Sequence, residues 1–203
     1  MKNTIKFLFI LCSFATFAQS PVVSMESWNG QTLTAGSYLK DNNNRQDPYI
    51  GTWRFTQGNT SLTIVLRKYT MAFLGRTYRD ILAGEYQYIE NGVEKINTLP
   101  NLDVNLPNKW SHNIRGGSPL ASQAYPLCPD CNLDEKRMSL SLYDPMRNLS
   151  ARLTLRRINV NGVPALQMDL WGDGAIVSES DNIPEEDLYI HVKITKCVLL
   201  KVD

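Results

Sequence analysis

The fold of this chain is constrained most by a repeated alternation of apolar and polar residues. Successive side chains of a β-strand point to opposite faces of a sheet, so alternation over about four to eight residues is typical of a strand with one buried face. The alternation recurs too often for a helical or an α/β protein. Its apolar positions are Tyr49, Trp53 and Phe55; Leu62, Ile64 and Leu66; Leu82, Tyr86 and Tyr88; Met138, Leu140 and Leu142; Leu153 and Leu155; Leu166, Met168 and Leu170; and Leu188, Ile190, Val192 and Ile194. The pattern predicts an all-β fold in which these side chains, for example Leu62, Ile64 and Leu66, point into the core.

Short turn signals separate the alternating runs. Asn91-Gly92 and Asn161-Gly162 are pairs that readily adopt the positive φ angles of a tight β-hairpin. Hairpins that follow one another along the chain build an antiparallel meander, which loses its exposed edges when it closes. We therefore expect an antiparallel up-and-down β-barrel of about eight to ten strands, with under roughly 10% helix.

The first 18 residues have the three parts of a secretory signal peptide. Lys2 and Lys6 form a basic segment, residues 7–11 an apolar segment, and residues 16–18 a small-x-small cleavage site. Leu11 stands where a lipoprotein signal needs a small residue before Cys12, so no lipid anchor is expected. No other segment approaches the run of about 18 apolar residues that a membrane helix needs. We predict a periplasmic or secreted protein without a membrane span.

The remaining chain suits one domain. Loss of Lys2 and Lys6 with the leader leaves 19 Lys and Arg residues against 20 Asp and Glu. Because no basic run stands out from this balance, nucleic acid is not an expected partner. We expect a flexible N-terminal arm at residues 19–48, with one short strand, and a single barrel domain at residues 49–203. Proline-rich residues 99–135 predict a long loop that joins two halves of the meander.

The first barrel strand carries a Gly-x-Trp sequence, Gly51-Thr52-Trp53, and resembles the first strand of the lipocalins, or calycins. In that family the tryptophan lies across the closed end of the barrel, and a basic side chain from near the end of the last strand packs over its ring. The resemblance implies a calycin-like barrel in which Gly51 leaves room for this approach. Lys196 follows Ile194 on the same face of the predicted last strand, so we expect Lys196 to pack on Trp53.

The whole chain also resembles a family of small secreted proteins of unknown function from Gram-negative bacteria. The resemblance rests on residues 47–53, 59–66 and 84–92, and on Cys128-Pro129-Asp130-Cys131 ahead of residues 135–138. It implies no assigned activity and no catalytic residue.

Three cysteines remain after removal of the leader: Cys128, Cys131 and Cys197. In an oxidising compartment we expect one disulfide that involves the Cys-x-x-Cys pair, either within it or to Cys197. A structural zinc site needs four ligands, and His112 and His191 are not placed to complete one, so no metal is expected.

Two further polar features favour structural roles. His112 has no serine or carboxylate placed beside it by the sequence, so a hydrogen-bonding role in a loop is preferred over a general base. Lys136 and Arg137 with Arg152, Arg156 and Arg157 predict a solvated basic stripe on the outer face of the sheet.

Three functions are compatible with these features. We rank first a non-enzymatic binder that holds a small apolar ligand in the barrel mouth, under the loop at residues 99–135. The alternative is a protein-interaction or inhibitor module, in which this loop and the N-terminal arm contact a partner and side chains fill the barrel. A hydrolase or redox enzyme ranks third. The sequence assigns no catalytic or ligand-binding residue, and no cofactor is expected.

Overall fold

The computed structural model describes residues 21–172, 184 and 188–202, which form mainly β-strands. The predicted signal peptide, residues 1–18, lies outside these described residues. The strands are β1 (Val22–Ser24), β2 (Tyr38–Lys40), β3 (Gly51–Gln57), β4 (Thr60–Phe73), β5 (Tyr78–Glu90), β6 (Val93–Asn97), β7 (Ile114–Ala121), β8 (Lys136–Asp144), β9 (Leu149–Val160), β10 (Val163–Trp171) and β11 (Lys196–Lys201). The described helices are short 3-10 helices at Asp47–Tyr49, Leu99–Asp103 and Lys109–Ser111. In this part of the chain no helix is long and apolar enough to cross a membrane.

Eight of these strands close into an antiparallel barrel. Around the barrel the order is β5, β4, β3, β11, β10, β9, β8 and β7, and β7 pairs again with β5, where Gly116 lies opposite Leu82. This closure confirms the predicted all-β class and the lipocalin-like barrel. Asn91 and Asn161 adopt positive φ angles of 53° and 52° in the turns after β5 and β9, as their pairing with glycine predicts.

Side chains from all eight barrel strands meet in one apolar cluster inside the barrel. Leu62, Ile64 and Leu66 are completely buried there, which confirms their predicted direction. Tyr86 is also completely buried, and its hydroxyl donates to the carbonyl oxygen of Tyr143 at 3.1 Å. Since each large apolar side chain contributes about 1.5–3 kcal/mol on burial, this cluster stabilises the closed barrel. The interior positions of the described strands are therefore occupied by packed side chains.

A segment that is not a strand covers the barrel end opposite the start of β3. The predicted last strand at residues 188–194 is wrong, because β11 begins only at Lys196. Ile190 and Val192 of this segment are nevertheless buried in the barrel core, and the carbonyl oxygen of Thr195 accepts from the backbone N–H of Leu170 at 2.7 Å. Alternation indicates only that every second side chain is buried. A capping segment fulfils that condition without forming a strand.

The N-terminal arm is packed against the barrel, so its predicted flexibility is wrong. β1 and β2 pair in parallel, and β2 continues in parallel beside the start of β5. Gln46 is completely buried, and its Nε2 donates to the carbonyl oxygens of Asp80 at 3.1 Å and Gly117 at 2.9 Å. The Asp80 carboxylate accepts from the Tyr38 hydroxyl at 2.5 Å and from the backbone N–H of Asp41 at 2.9 Å. These bonds join the arm to two barrel strands.

The long loop predicted at residues 99–135 is wrong in its middle, where β7 forms a wall of the barrel. Gly116 and Gly117 have φ angles of 141° and 104° at a register shift between β7 and β8, and they interrupt the alternation that would have revealed this strand. The stretch before β7 packs on the outer face of β4 and β5, where Trp110 contacts a small cluster with Ile81 and Ala83. The stretch after β7 is a loop at residues 122–135.

Candidate functional site

Trp53 lies at one end of the barrel, and Lys201, rather than the predicted Lys196, approaches its ring. The indole is 1% exposed and its Nε1 donates to the carbonyl oxygen of Tyr49 at 2.8 Å. Lys201 pairs with Trp53 in the sheet, and its Nζ lies 5.6 Å from the ring centroid. Lys196 is the first residue of β11, at the opposite end of the barrel. It is five residues before Lys201, which corresponds to about 17 Å at roughly 3.3 Å per residue. Its side chain is 81% exposed, 3.6 Å from Asp169 Oδ1.

Gly51, the other residue of the predicted motif, is the first residue of β3 and lies opposite Leu66 of β4. Its φ angle is 125°, in a region that side-chain-bearing residues rarely adopt. The described structure thus gives Gly51 a backbone role at the Trp53 end of the barrel.

A cleft of about 1150 Å³ opens at this Trp53 end, and we refer to it as the end cleft. Strand ends and the loop before β8 form its walls, and the arm closes one side. Its lining includes Arg45, Trp53, Glu135, Lys136, Arg157 and Lys201. A smaller recess of about 400 Å³ adjoins it, shares Lys136 and Arg157, and also includes Tyr49 and Met138. Burial raises the pKa of Tyr49 to about 12, so this phenol is neutral at physiological pH.

Two cations, Lys136 and Arg157, line both the end cleft and the adjoining recess. Each lies two residues beyond a buried core residue of its own strand, Met138 in β8 and Leu155 in β9, and these two core residues pair with each other. Side chains two positions apart on a strand point to the same face, so both cations extend from the inward face. Among the described residues neither cation has an ion-pair partner. Two like charges that share one cleft repel each other, and a bound anion offsets that repulsion.

The predicted basic stripe on the outer face is correspondingly wrong for three of its members. Lys136 and Arg157 occupy inward positions beyond the last core layer. Arg137 is on the outer face but is 1% exposed. Arg156 is outward and is already neutralised, because its guanidinium contacts both carboxylate oxygens of Glu135, at 2.7 and 3.0 Å. That guanidinium holds the pKa of the Glu135 carboxyl below its usual range.

Residues 121–135, which are the last residue of β7 and the loop that follows it, contain the disulfide Cys128–Cys131, and we call them the disulfide loop. Arg137 anchors this loop. Its guanidinium donates hydrogen bonds to the carbonyl oxygens of Ala121, Ser122, Ala124 and Pro126 at 2.6 to 3.4 Å. The sequence predicted a disulfide that involves this pair but left its partner open. Cys197 is the cysteine that stays free in the described chain, and burial raises the pKa of its thiol to about 12.

We expect the unreduced chain without residues 1–18 to show one reactive thiol after denaturation and three after reduction. In the folded state at pH 8, alkylation of Cys197 should be slow, because a thiol with a pKa near 12 is almost entirely protonated and is partly buried. Mass spectrometry after iodoacetamide treatment counts the labels. Cys197→Ser is the control and should take up none without reduction, whereas three labels on unreduced protein would contradict the disulfide.

His112 hydrogen-bonds to a buried carboxylate that the sequence did not reveal. Its Nδ1 lies 2.8 Å from Glu85 Oε1, and its Nε2 lies 3.3 Å from the Tyr69 hydroxyl. Asn113 Nδ2 donates to the other oxygen of Glu85 at 2.6 Å. Glu85 is completely buried and His112 is 1% exposed. A substrate cannot reach this array without opening of the segment before β7, so the geometry gives it the predicted loop-holding role.

His191 is the second histidine beside a carboxylate. Its backbone N–H and its Nδ1 both contact Asp144 Oδ2, at 2.8 and 2.7 Å. The other oxygen of Asp144 accepts from the backbone N–H groups of Met146 and Arg147 in the turn after β8. These contacts attach the capping segment to the barrel. No group of three or more His, Cys, Asp or Glu residues within the described ranges could hold a metal ion.

The contact between His112 and Glu85 was partly recognisable from the sequence. The outward positions of β5 are Ile81, Ala83 and Glu85, and an apolar outer face indicates that something covers it. A carboxylate on such a face needs a buried partner. His112 is 27 residues away along the chain, however, and only the path of the intervening segment brings the two together.

One family model matches this chain over nearly its whole length. No curated protein and no solved structure matches it. The model of one family of unknown function, DUF6705, matches residues 1–199. Secretion and an origin in Gram-negative bacteria, which the resemblance implied, stay predictions. The match covers nearly the whole sequence, and the chain belongs to the family of unknown function DUF6705.

Proposed function

We propose that this protein is a non-enzymatic binding protein whose ligand is anionic and occupies the end cleft. The observation that carries the proposal is that Lys136 and Arg157, which have no ion-pair partner among the described residues, both line a cleft of about 1150 Å³. Lys201 adds a further cation to the lining, whereas Arg45 is paired with Glu26 at 3.1 Å and Asp134 and Glu135 are the acidic residues of the lining. Charge-assisted hydrogen bonds from lysine and arginine are the strongest that side chains offer to an anion.

The packing of the barrel argues against the small apolar ligand that the sequence favoured. Such a ligand would have to displace core side chains, since every barrel strand contributes to the interior cluster. The end opposite Trp53 is covered by the segment with Ile190 and Val192. The end cleft is lined mainly by charged and amide side chains. A filled barrel of this kind matches the architecture of the alternative hypothesis.

The histidines give limited support to an enzyme. His112 and Glu85 are buried, and Asp144 uses both oxygens to hold a turn and the capping segment. Each carboxylate thus has a packing role that explains its position.

A location outside the cytoplasm is part of the proposal. The predicted leader at residues 1–18 and the disulfide Cys128–Cys131 support it, because disulfides persist in oxidising compartments. Detection of a chain that begins at Gln19 in the periplasm or the medium would test it.

Anion binding in the end cleft is tested by isothermal titration calorimetry, with tripolyphosphate and citrate titrated separately into the chain without residues 1–18. Lys136→Gln/Arg157→Gln should weaken binding at least about tenfold, because a tenfold change requires only about 1.4 kcal/mol. Lys95→Gln/Lys193→Gln removes the same charge at the opposite end of the barrel, where both lysines lie near Glu90. This control should change affinity by less than about twofold, as expected for exposed pairs.

Two outcomes would contradict the anionic ligand. The first is that neither anion binds the wild-type chain. The second is that both double variants weaken binding equally, which indicates an effect of net charge alone. Saturable binding of an uncharged apolar probe such as N-phenyl-1-naphthylamine that is insensitive to Lys136→Gln/Arg157→Gln would favour the apolar ligand instead.

A further inference from the structure

The disulfide loop exposes large apolar side chains beside the end cleft. Leu133 is 76% exposed and Leu127 is 70% exposed, which makes them the two most exposed large apolar side chains among the described residues. Tyr125 of the same loop is 64% exposed but packs edge-on against Trp171, with ring centroids 4.7 Å apart. Large exposed apolar side chains rimmed by polar groups are typical of an interaction surface.

The loop that carries these side chains is already held in one conformation. Arg137 binds four of its carbonyl oxygens, and Ser122 Oγ donates to the carbonyl oxygen of Leu133 at 3.1 Å. Arg156 Nη2 donates to the carbonyl oxygen of Asp130 at 2.8 Å. A loop that is ordered before association loses little conformational entropy when a partner binds. The exposed leucines are therefore presented at low entropic cost.

The leucines lie next to the end cleft along the chain. Asn132, Asp134 and Lys136 line the cleft, and Leu133 lies between the first two. Leu127 precedes Cys128, which the disulfide joins to Cys131 beside Asn132. Because Asp134 and Glu135 separate Lys136 from Leu133, a ligand along this loop places its anionic groups at Lys136 and its apolar groups at Leu133. The cleft volume of about 1150 Å³ exceeds the roughly 300–1,000 Å³ of typical small-molecule sites. The surface is suited to a ligand with both charge and apolar groups.

We propose that the partner is an acidic protein segment, whose carboxylates bind Lys136 and Arg157 while its apolar side chains pack on Leu127 and Leu133. The inference rests on the proposed anion-binding function and adds the class of the partner. Charge complementarity with the cationic rim requires the acidic groups. The aliphatic leucines select a polypeptide over an acidic polysaccharide, because a polysaccharide presents hydroxyl and acidic groups with few apolar side groups to cover them.

The test is selection of random twelve-residue peptides displayed on phage against the immobilised mature chain. Enriched peptides should combine at least two Asp or Glu residues with neighbouring apolar residues. A synthetic enriched peptide should bind Leu127→Ser/Leu133→Ser at least about tenfold more weakly than wild type. Tripolyphosphate should bind this variant within about twofold of wild type, because its cations are intact. Lys136→Gln/Arg157→Gln should weaken the binding of both the peptide and tripolyphosphate.

Met146→Ser is the matched control, since Met146 is 67% exposed in the turn after β8 at the opposite end of the barrel. It should leave peptide affinity unchanged. Failure to enrich any peptide, enrichment of peptides without acidic residues, or a leucine variant that behaves like the control would overturn the proposal. The proposal would also be overturned if a heparin fragment bound more tightly than the enriched peptide and bound Leu127→Ser/Leu133→Ser as tightly as wild type. Failure of tripolyphosphate to bind the wild-type chain would instead contradict the proposed binding of anions in the end cleft.

Discussion

Gly84→Ala is expected to lower the free energy of unfolding by about 3 kcal/mol, which corresponds to a fall in melting temperature of roughly 6–12 °C for a domain of this size. Gly84 lies in β5 between Leu66 of β4 and Ile114 of β7. A Cβ at this position would lie 1.8 Å from the carbonyl oxygen of Val65 and 3.1 Å from the Cα of Leu66. Both are backbone atoms, so two barrel strands would have to separate.

Urea unfolding followed by circular dichroism measures the effect. Gly58→Ala is the matched control: Gly58 has a φ of 56° in the turn between β3 and β4, and a Cβ there would meet nothing within 4 Å. Its substitution should cost only about 1–2 kcal/mol, from the left-handed backbone alone. Equal losses for the two variants would show that crowding between β4 and β5 is not the cause at Gly84.

Glu85→Ala is expected to release the segment before β7 and to destabilise the fold by about 2–6 kcal/mol, because each of the two buried donors that lose their acceptor costs about 1–3 kcal/mol. The substitution leaves His112 Nδ1 and Asn113 Nδ2 buried without their acceptor. Hydrogen exchange should accelerate first in residues 98–113, which this carboxylate anchors, and chemical denaturation gives the total loss.

Glu85→Gln provides the comparison for that experiment. The glutamine amide keeps a carbonyl oxygen that can accept from His112 Nδ1, so its loss should be clearly smaller than that of Glu85→Ala. Unchanged stability and unchanged exchange in Glu85→Ala would mean that the array does not hold the segment. Acceleration spread evenly over the barrel strands would place the anchoring role elsewhere.

Periodicity was sufficient for most of the barrel and insufficient for β7. Runs such as Leu62, Ile64 and Leu66 alternate without interruption, and the structure buries all three. In β7 the bulge at Gly116 and Gly117 places two glycines where alternation would need side chains. Residues 188–194 gave the opposite error, because a capping segment alternates in burial without forming a strand.

The candidate site was partly predictable from the same parity argument. Lys136 and Arg157 lie two residues beyond the inward-facing Met138 and Leu155, so their common face was accessible from the sequence. That both extend past the last core layer, into a cleft, depends on where each strand ends relative to the rim. Strand ends are set by neighbouring strands and by the arm, and a single strand's pattern does not contain them.

The amino-acid sequence alone determined which strands alternate, which residues form the hairpin turns, and which side chains build the core, because these properties depend on neighbours a few positions apart. The tertiary structure alone decided which distant residues meet. β3 and β11 become neighbours only when the barrel closes, and their register brings Lys201 rather than Lys196 to Trp53. Contacts of this kind join residues about 150 positions apart, and the register that selects them depends on the packing of the whole barrel.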